Sequence, residues 1–175
     1  MPQATESPAT RANLEMVRAH FLDAYLREHA TTSRVLHAFP PAQADFRPHD
    51  RSSTARKLAW NFVMEERMML TALKGEQVLG SGFPPPPDSW DTILGSFEAQ
   101  HKEIVTRLKQ VGDSGPVGSV QFFVGPKQVG DYALFDFLWF MLCDQIHHRG
   151  QLSVYVRMAG GKVPSIYGPS ADEPW

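Results

Sequence analysis

The stretch FLWFMLCDQIHHRGQLSVYV, residues 137–156, decides the fold. Steps of four, three, four and seven residues separate five of its side chains, and such steps place side chains on one face of an α-helix. The five are Phe137, Met141, Asp144, His148 and Tyr155. Because this face is otherwise apolar, we expect it to point into a helical bundle, with its acid and its imidazole both buried.

Three further helices are predicted where apolar residues recur at three- and four-residue steps. They run near residues 13–38, 53–73 and 89–111, and the helix that contains the opening stretch runs near 131–159. Little strand is expected outside 119–125. Four consecutive prolines make the link between the second and third helices a long, extended crossover. Four helices with almost no strand predict an all-α fold, a four-helix bundle.

The length of the chain predicts one domain. Its 175 residues suffice for one compact core and are too few for two. We therefore assign residues 1–175 to a single bundle domain. Residues 1–10 are polar and contain two prolines, so a frayed leader is expected there. Residues 160–175 are expected to form an irregular tail.

Composition excludes several functional classes. A net charge of −2 does not favour nucleic acid as a partner, because such binding rests on neutralising phosphates. No run approaches the roughly 20 apolar residues of a membrane span, and the N-terminus lacks the pattern of a signal peptide. The single cysteine, Cys143, fits a reducing compartment and is expected to be a buried, inert thiol. A cytoplasmic protein without a membrane partner is predicted.

Asp144 and His148 lie one helical turn apart on the predicted inner face. A carboxylate and an imidazole at that spacing can hold one divalent ion jointly. The same two groups can equally share a hydrogen bond without any metal, and the spacing leaves both interpretations open. The neighbouring Arg149 and Arg157 are expected to be solvated or to pair with acids of the second helix.

The second predicted helix supplies partners for this pair. Asn61 and Glu65 fall on a stripe that is otherwise apolar. Burying either side chain without a partner costs about 1–3 kcal/mol or more, so each needs a partner. The candidates are each other, the Asp144–His148 pair, water or an ion. Alternatively, the helix is rotated so that Glu65 reaches solvent.

Several segments resemble DinB-like proteins. The segment DQIHHRGQL at 144–152 and the following VPSIYG at 163–168 resemble the last helix and tail of that family. The run LAWNFV at 58–63, with Glu65 after it, looks like the family's metal-bearing second helix. The likeness spans nearly the whole chain in element order and is most specific in the fourth helix.

The resemblance implies a four-helix bundle, usually a homodimer, that binds a divalent ion through three histidines. Carried over by position, the ligands fall on Asn61, Asp144 and His148, of which only the last is still histidine. Asp144 remains a competent ligand, whereas Asn61 offers a neutral carbonyl oxygen that suits nickel and zinc poorly. Glu65 can partly replace the lost imidazole if it points inward.

Some members of the resembled family act as thiol-dependent transferases or isomerases, and many have no known activity. Three interpretations of the pocket remain: an ion held by Asp144, His148 and either Glu65 or Asn61, a metal-free hydrogen-bond network, or a small ligand without metal. The function predicted is divalent-metal binding, with nickel or zinc, in a metal-dependent thiol transferase or hydrolase for a small-molecule or thiol substrate. The alternative is a non-catalytic dimeric bundle with a lapsed, metal-free pocket. Four tryptophans and eleven phenylalanines also favour a homodimer.

Overall fold

Four α-helices dominate the computed structural model, which describes residues 8–80, 82–112 and 117–175. The helices are α1 Pro8–Ala38, α2 Ala55–Leu73, α3 Trp90–Leu108 and α4 Leu134–Met158. α2 packs against α3 and α4, and α1 packs against the same two helices. The prediction of an all-α four-helix bundle is therefore confirmed.

The start of α1 corrects the predicted leader. The helix begins at Pro8, so residues 8–10 are helical rather than frayed. Proline is well suited to a first helical turn, because its missing N–H would have no partner there. The remainder of the predicted leader, residues 1–7, lies outside the described residues.

Side-chain caps begin the two middle helices. The Thr54 hydroxyl accepts a hydrogen bond from the backbone N–H of Lys57 at the start of α2. Ser89 does the same for the N–H of Thr92 at the start of α3. Each cap satisfies one of the four N–H groups that a helix start leaves without a partner. Both helices thus begin within two residues of the predicted positions.

A β-hairpin occupies the segment where the fourth helix was expected to begin. Strand β1 Ser119–Gly125 pairs with strand β2 Gln128–Ala133 in antiparallel register, with Phe122 opposite Gly130. The expectation of little strand outside 119–125 was therefore wrong for β2. Strand β2 is stabilised by its pairing with β1 across the hairpin. The apolar periodicity of the β2 sequence by itself does not predict this pairing.

The crossover between α2 and α3 lies along α2. The indole N–H of Trp60 donates to the carbonyl of Pro84 at 2.8 Å, and the Arg56 guanidinium donates to the carbonyl of Pro87 at 3.4 Å. These donors satisfy carbonyls that an extended proline run cannot pair internally. The long crossover predicted from the prolines is therefore held against the bundle.

The tail at 160–175 has no helix or strand, but two ion pairs hold it in place. Arg157 contacts Asp172 at 2.7 Å, and Arg34 of α1 contacts Glu173 at 2.6 Å. Arg157 was expected to be solvated or to pair with α2. Its side chain is about half exposed, at 49 %, and the acid that it contacts comes from the tail rather than from α2. The tail is irregular in backbone but anchored to α1 and α4.

A buried polar layer divides the core into two apolar halves. One half includes Phe21, Met69, Leu108 and Phe137, and the other includes Phe39, Phe62, Ile93 and Leu152. Between them, along α1, α2 and α4, lie the buried polar residues, which we call the polar layer: His29, Thr32, Glu65, Glu66, Gln145 and Arg149. Buried polar groups need partners, so this layer is where chemistry is expected. Within the described residues, no helix has the length and apolar character to cross a membrane.

Candidate metal centre

Two facing helices bring a carboxylate from α2 beside an acid and an imidazole from α4. One ligand atom from each of Glu65, Asp144 and His148 lies within 4.8 Å of the other two. Glu65 is buried, at 2 % exposure, so the alternative in which it reaches solvent was wrong. Three of the four residues singled out in the sequence therefore meet at one point.

His148 lies between the two carboxylates. Its Nδ1 shares a hydrogen bond with Glu65 Oε1 at 2.6 Å, and the same nitrogen is 3.9 Å from Asp144 Oδ2. The Asp144 side chain keeps 40 % of its surface exposed, against 18 % for His148. The expectation that both α4 groups are buried was therefore wrong for Asp144. It lies at the rim because α4 is rotated to place Gln145 and Arg149 innermost.

The second oxygen of Glu65 is the strongest indication of a missing partner. Glu65 Oε2 is buried and has no hydrogen-bond partner among the described residues. Leaving a buried carboxylate oxygen unpaired is costly, and a cation is one group that satisfies it. Two carboxylates and one imidazole form a donor set that divalent ions accept. The residues present therefore fit a divalent metal ion.

The hydrogen bond between Glu65 and His148 changes the pKa of both groups. Burial raises the pKa of Glu65 to about 7, although its hydrogen bond with His148 opposes this shift. That hydrogen bond raises the pKa of His148, while burial acts in the opposite direction. The pair can therefore take up or release a proton close to neutral pH.

Asn61, the fourth predicted residue, lies at the approach to the centre. It is half-buried and lines a cavity of about 450 Å³ together with His148. Its carboxamide makes no hydrogen bond with the described residues, so it is free to meet a ligand in the cavity. Asn61 and the imidazole of His148 thus line the same cavity. The α2 residue that hydrogen-bonds to the imidazole directly is Glu65.

A second acid in the polar layer was missed by sequence reasoning. Glu66 is fully buried, accepts a hydrogen bond from the Tyr25 hydroxyl at 2.5 Å and another from Gln145 at 3.2 Å. Burial raises its pKa to about 8. The Tyr25 hydroxyl also lies 3.1 Å from His101 Nδ1. The only signal in the sequence was the Glu65-Glu66 doublet, because two adjacent helical residues cannot both face one stripe.

Arg149 corrects another prediction. It is 1 % exposed, and its guanidinium contacts Glu28 of α1 at 2.7 Å and the Tyr167 hydroxyl of the tail at 2.5 Å. A further hydrogen bond reaches Thr32 at 3.2 Å. It is therefore neither solvated nor paired with the acids of α2, because α1 supplies its carboxylate at the same level of the bundle.

The outward face of α4 carries the cysteine. Cys143 is exposed, so the prediction of a buried thiol was wrong. Val154 and Met158 on the same helix are about half exposed, at 55 % and 54 %. The same rotation that places Gln145 inward turns Cys143 outward, since residues two positions apart in a helix are separated by about 200° around its axis.

Comparison with known proteins agrees with this architecture. A DinB-like protein from Bacillus cereus has a solved structure with a TM-score of 0.68 at 24 % identity, covering 84 % of this chain and 95 % of its own. A DinB-like protein from Bacillus subtilis has a TM-score of 0.63 at 14 % identity, covering 89 % and 96 %. At these identities the likeness concerns the fold alone.

Sequence comparison is more specific. The uncharacterised protein YrdA of Bacillus subtilis is 27 % identical over 154 residues, which span 88 % of this chain and 90 % of YrdA. The sequence profile of the DinB family matches residues 1–174. The resemblance in the fourth helix thus extends along the matched length, and the chain belongs to the DinB family.

Proposed function

We propose that this protein binds one divalent ion, zinc or nickel, through Glu65, Asp144 and His148, and acts as a metal-dependent thiol transferase or hydrolase. The observation that carries the proposal is the buried, unpartnered Oε2 of Glu65 beside two further ligand atoms. When bound, the ion would supply Lewis acidity toward a carbonyl group, a thiol or a water molecule.

The three side chains have different tasks in this proposal. Glu65 is buried on α2 and fixes the inner end of the site. His148 is held in orientation by its 2.6 Å hydrogen bond. Asp144 lies at the rim, where its exposed side chain can close on an arriving ion from the solvent side. Zinc accepts both imidazole nitrogen and carboxylate oxygen, so this donor set suits it well.

A second candidate function has its own support. The direct hydrogen bond between His148 and Glu65 satisfies one oxygen and one nitrogen without an ion. In that case the site is a lapsed metal pocket in a non-catalytic bundle, and the buried polar layer serves to hold the helices in register. The two candidates differ in one measurable property, which is the affinity for metal.

Calorimetric titration with zinc and with nickel, on protein purified without a histidine tag, tests the proposal. We expect the native chain to bind one ion and His148→Ala to lose binding. His147→Ala is the matched control, because this adjacent histidine is exposed and bonds Gln151 rather than the site. It should bind like the native chain.

Asn61→His separates the alternatives, since it restores an imidazole at the position that the family resemblance assigns to a ligand. Tight binding by Asn61→His with none by the native chain would mean a lapsed site on an intact scaffold. Absence of binding by both would mean that the three side chains form no metal site. If metal binds, loss of thiol-transfer or hydrolytic activity on its removal would support the enzyme proposal.

A further inference from the structure

Two hydrogen bonds run side by side between α2 and α4. One joins Glu65 Oε1 to His148 Nδ1 at 2.6 Å in the candidate metal centre. In the other, Gln145 Nε2 donates to Glu66 Oε1 at 3.2 Å. Glu65 and Glu66 are consecutive residues, so they project about 100° apart around the axis of α2, and Gln145 precedes His148 by about one turn of α4. The same two helices are therefore linked a second time directly beside the candidate metal centre.

The carboxylate of Glu66 is the point at which all four helices are joined. Its other oxygen, Oε2, accepts a hydrogen bond from the Tyr25 hydroxyl of α1 at 2.5 Å. The same hydroxyl lies 3.1 Å from Nδ1 of His101 on α3. Glu66 is 0 % exposed and Gln145 is 1 % exposed, so water does not compete for these hydrogen bonds. Partners from three helices thus fix the position of the Glu66 carboxylate.

The hydrogen bond between Glu66 and Gln145 limits the rotation of α2 and α4. A single hydrogen bond between two helices acts as one pivot and leaves each helix able to turn about its axis. A second bond from a side chain about 100° away around α2 opposes that turning. Rotation of α2 moves Glu65, and rotation of α4 moves His148. The second bond therefore helps to keep these two side chains facing each other.

The contribution of Gln145 to the centre is indirect. Neither Gln145 nor Glu66 belongs to the described lining of the cavity beside His148, so neither meets a ligand there. Gln145 Oε1 is buried without a hydrogen-bond partner in the part of the chain that the structure describes. An unpaired buried oxygen is unfavourable, so the hydrogen bond that Nε2 donates to Glu66 is the favourable polar contact of this side chain.

We infer that Gln145 is a positioning residue of the candidate metal centre, which acts by holding α2 and α4, through Glu66, at the rotation in which Glu65 meets His148. The inference rests on the proposed function for the role of that pair as metal ligands. Side chains that orient ligands without touching the ion typically change metal affinity about 10- to 100-fold when they are replaced. The geometric effect also applies to the metal-free chain, because the bond between Glu65 and His148 forms directly.

Gln145→Met tests the inference, because it removes the donor while it keeps the charge and a similar volume. Nitrogen–proton NMR of the metal-free protein at one fixed pH records the ring nitrogens of His148, whose chemical shifts report the hydrogen bond with Glu65. We expect Gln145→Met to move the Nδ1 signal from its native position. We also expect zinc affinity, measured by calorimetry, to fall about tenfold or more. An Nδ1 signal that stays at its native position would overturn the inference.

Two further variants separate positioning from a general loss of stability. Thr32→Val removes a hydroxyl of the same buried layer, which bonds Arg149 and joins α1 to α4. Its His148 signal and its zinc affinity should stay native even where its thermal midpoint falls as far as that of Gln145→Met. An equal change in Thr32→Val would show general loosening and would count against the inference. Gln145→Asn, whose amide is one methylene too short to reach Glu66, should move the His148 signal as Gln145→Met does, and it replaces that variant if Gln145→Met does not fold.

The failures of the two proposals are distinguishable. If the native chain binds no zinc, the metal proposal fails, and the response of the His148 ring to Gln145→Met still decides the inference. If the native chain binds zinc while Gln145→Met keeps both the native ring signals and the native affinity, the inference fails alone.

Discussion

Within the described residues, His29 of the polar layer is buried without a hydrogen-bond partner for one of its ring nitrogens. His29 is buried on α1, and its ring stacks on His101 at 3.4 Å and on Phe97 at 4.5 Å between centroids. Its Nε2 has no hydrogen-bond partner among the described residues, and the nearest carboxylate, Glu98, is 4.0 Å away. Tyr25 also packs against the ring. This histidine is thus held in the neutral form.

The titration of His29 gives a prediction about acid stability. Burial, followed by the charge of His101, lowers the pKa of His29 from 6.5 to about 3. Between those values the unfolded chain binds a proton that the folded chain does not. The free energy of unfolding therefore falls as the pH drops from 6.5 toward 3. We expect His29→Phe to reduce this loss, measured as thermal midpoints across that range.

The comparison with the native chain isolates the contribution of His29. Glu65 and Glu66 have raised pKa values, so their contribution to the free energy of unfolding falls as the pH rises, which is the opposite direction. Both residues are present in the native chain and in the variant, so their contribution cancels in the comparison. His37→Phe, at an exposed position of the same helix, is the control and should keep the native pH profile. Identical profiles for His29→Phe and the native chain would contradict the prediction.

At the scale of the elements, Arg149 joins α4 to α1 and to the tail. Its guanidinium contacts Glu28 of α1 at 2.7 Å, and the Tyr167 hydroxyl donates to the same carboxylate at 2.7 Å. The guanidinium also lies 5.0 Å from the centre of the Tyr167 ring. One buried cation therefore fixes three segments relative to one another.

Removing both partners of this buried pair should cost less than the two single removals added together. Arg149→Met leaves the partly buried Glu28 without its cation, so we expect the free energy of unfolding to fall by about 3–5 kcal/mol. The double variant Glu28→Met, Arg149→Met should lose less than the sum of the two single variants. Urea unfolding of the four proteins measures this coupling. Strict additivity would mean that the pair contributes no specific interaction.

At the scale of the whole molecule, an exposed apolar patch lies on the hairpin. Phe123 and Val129 face each other across the two strands, and about half of each side chain is exposed, at 50 % and 52 %. Val124 and Phe140 are also exposed, at 52 % and 42 %, but they lie on the other face of the hairpin, where Phe140 packs against Phe122. Exposed apolar side chains that pair across two strands favour a protein interface.

We propose that two chains associate through this hairpin patch in a two-fold dimer that buries at least about 1,000 Å². Light scattering at micromolar concentration should give twice the chain mass. The double variant Phe123→Lys, Val129→Lys should give the mass of one chain, while Met16→Lys, at an exposed position on α1, should stay dimeric. A native chain that scatters as a monomer would contradict the proposal.

Much of the architecture follows from local pattern alone. Three- and four-residue spacing predicts the helices, because a stripe of apolar side chains can be buried only if the backbone is helical. The same spacing places Asp144 and His148 one turn apart before any tertiary contact is known. What spacing determines is which residues of one helix lie together.

The rotation of each helix is decided by tertiary packing. Around α4, apolar residues occur on nearly every face, so the sequence alone does not determine whether Asp144 or Gln145 points innermost. Packing against α1 and α2 turns Gln145 and Arg149 to the core, leaves Asp144 at the rim and brings Glu65 to His148. Contacts between residues about 80 positions apart depend on the whole bundle, and they decided the candidate site.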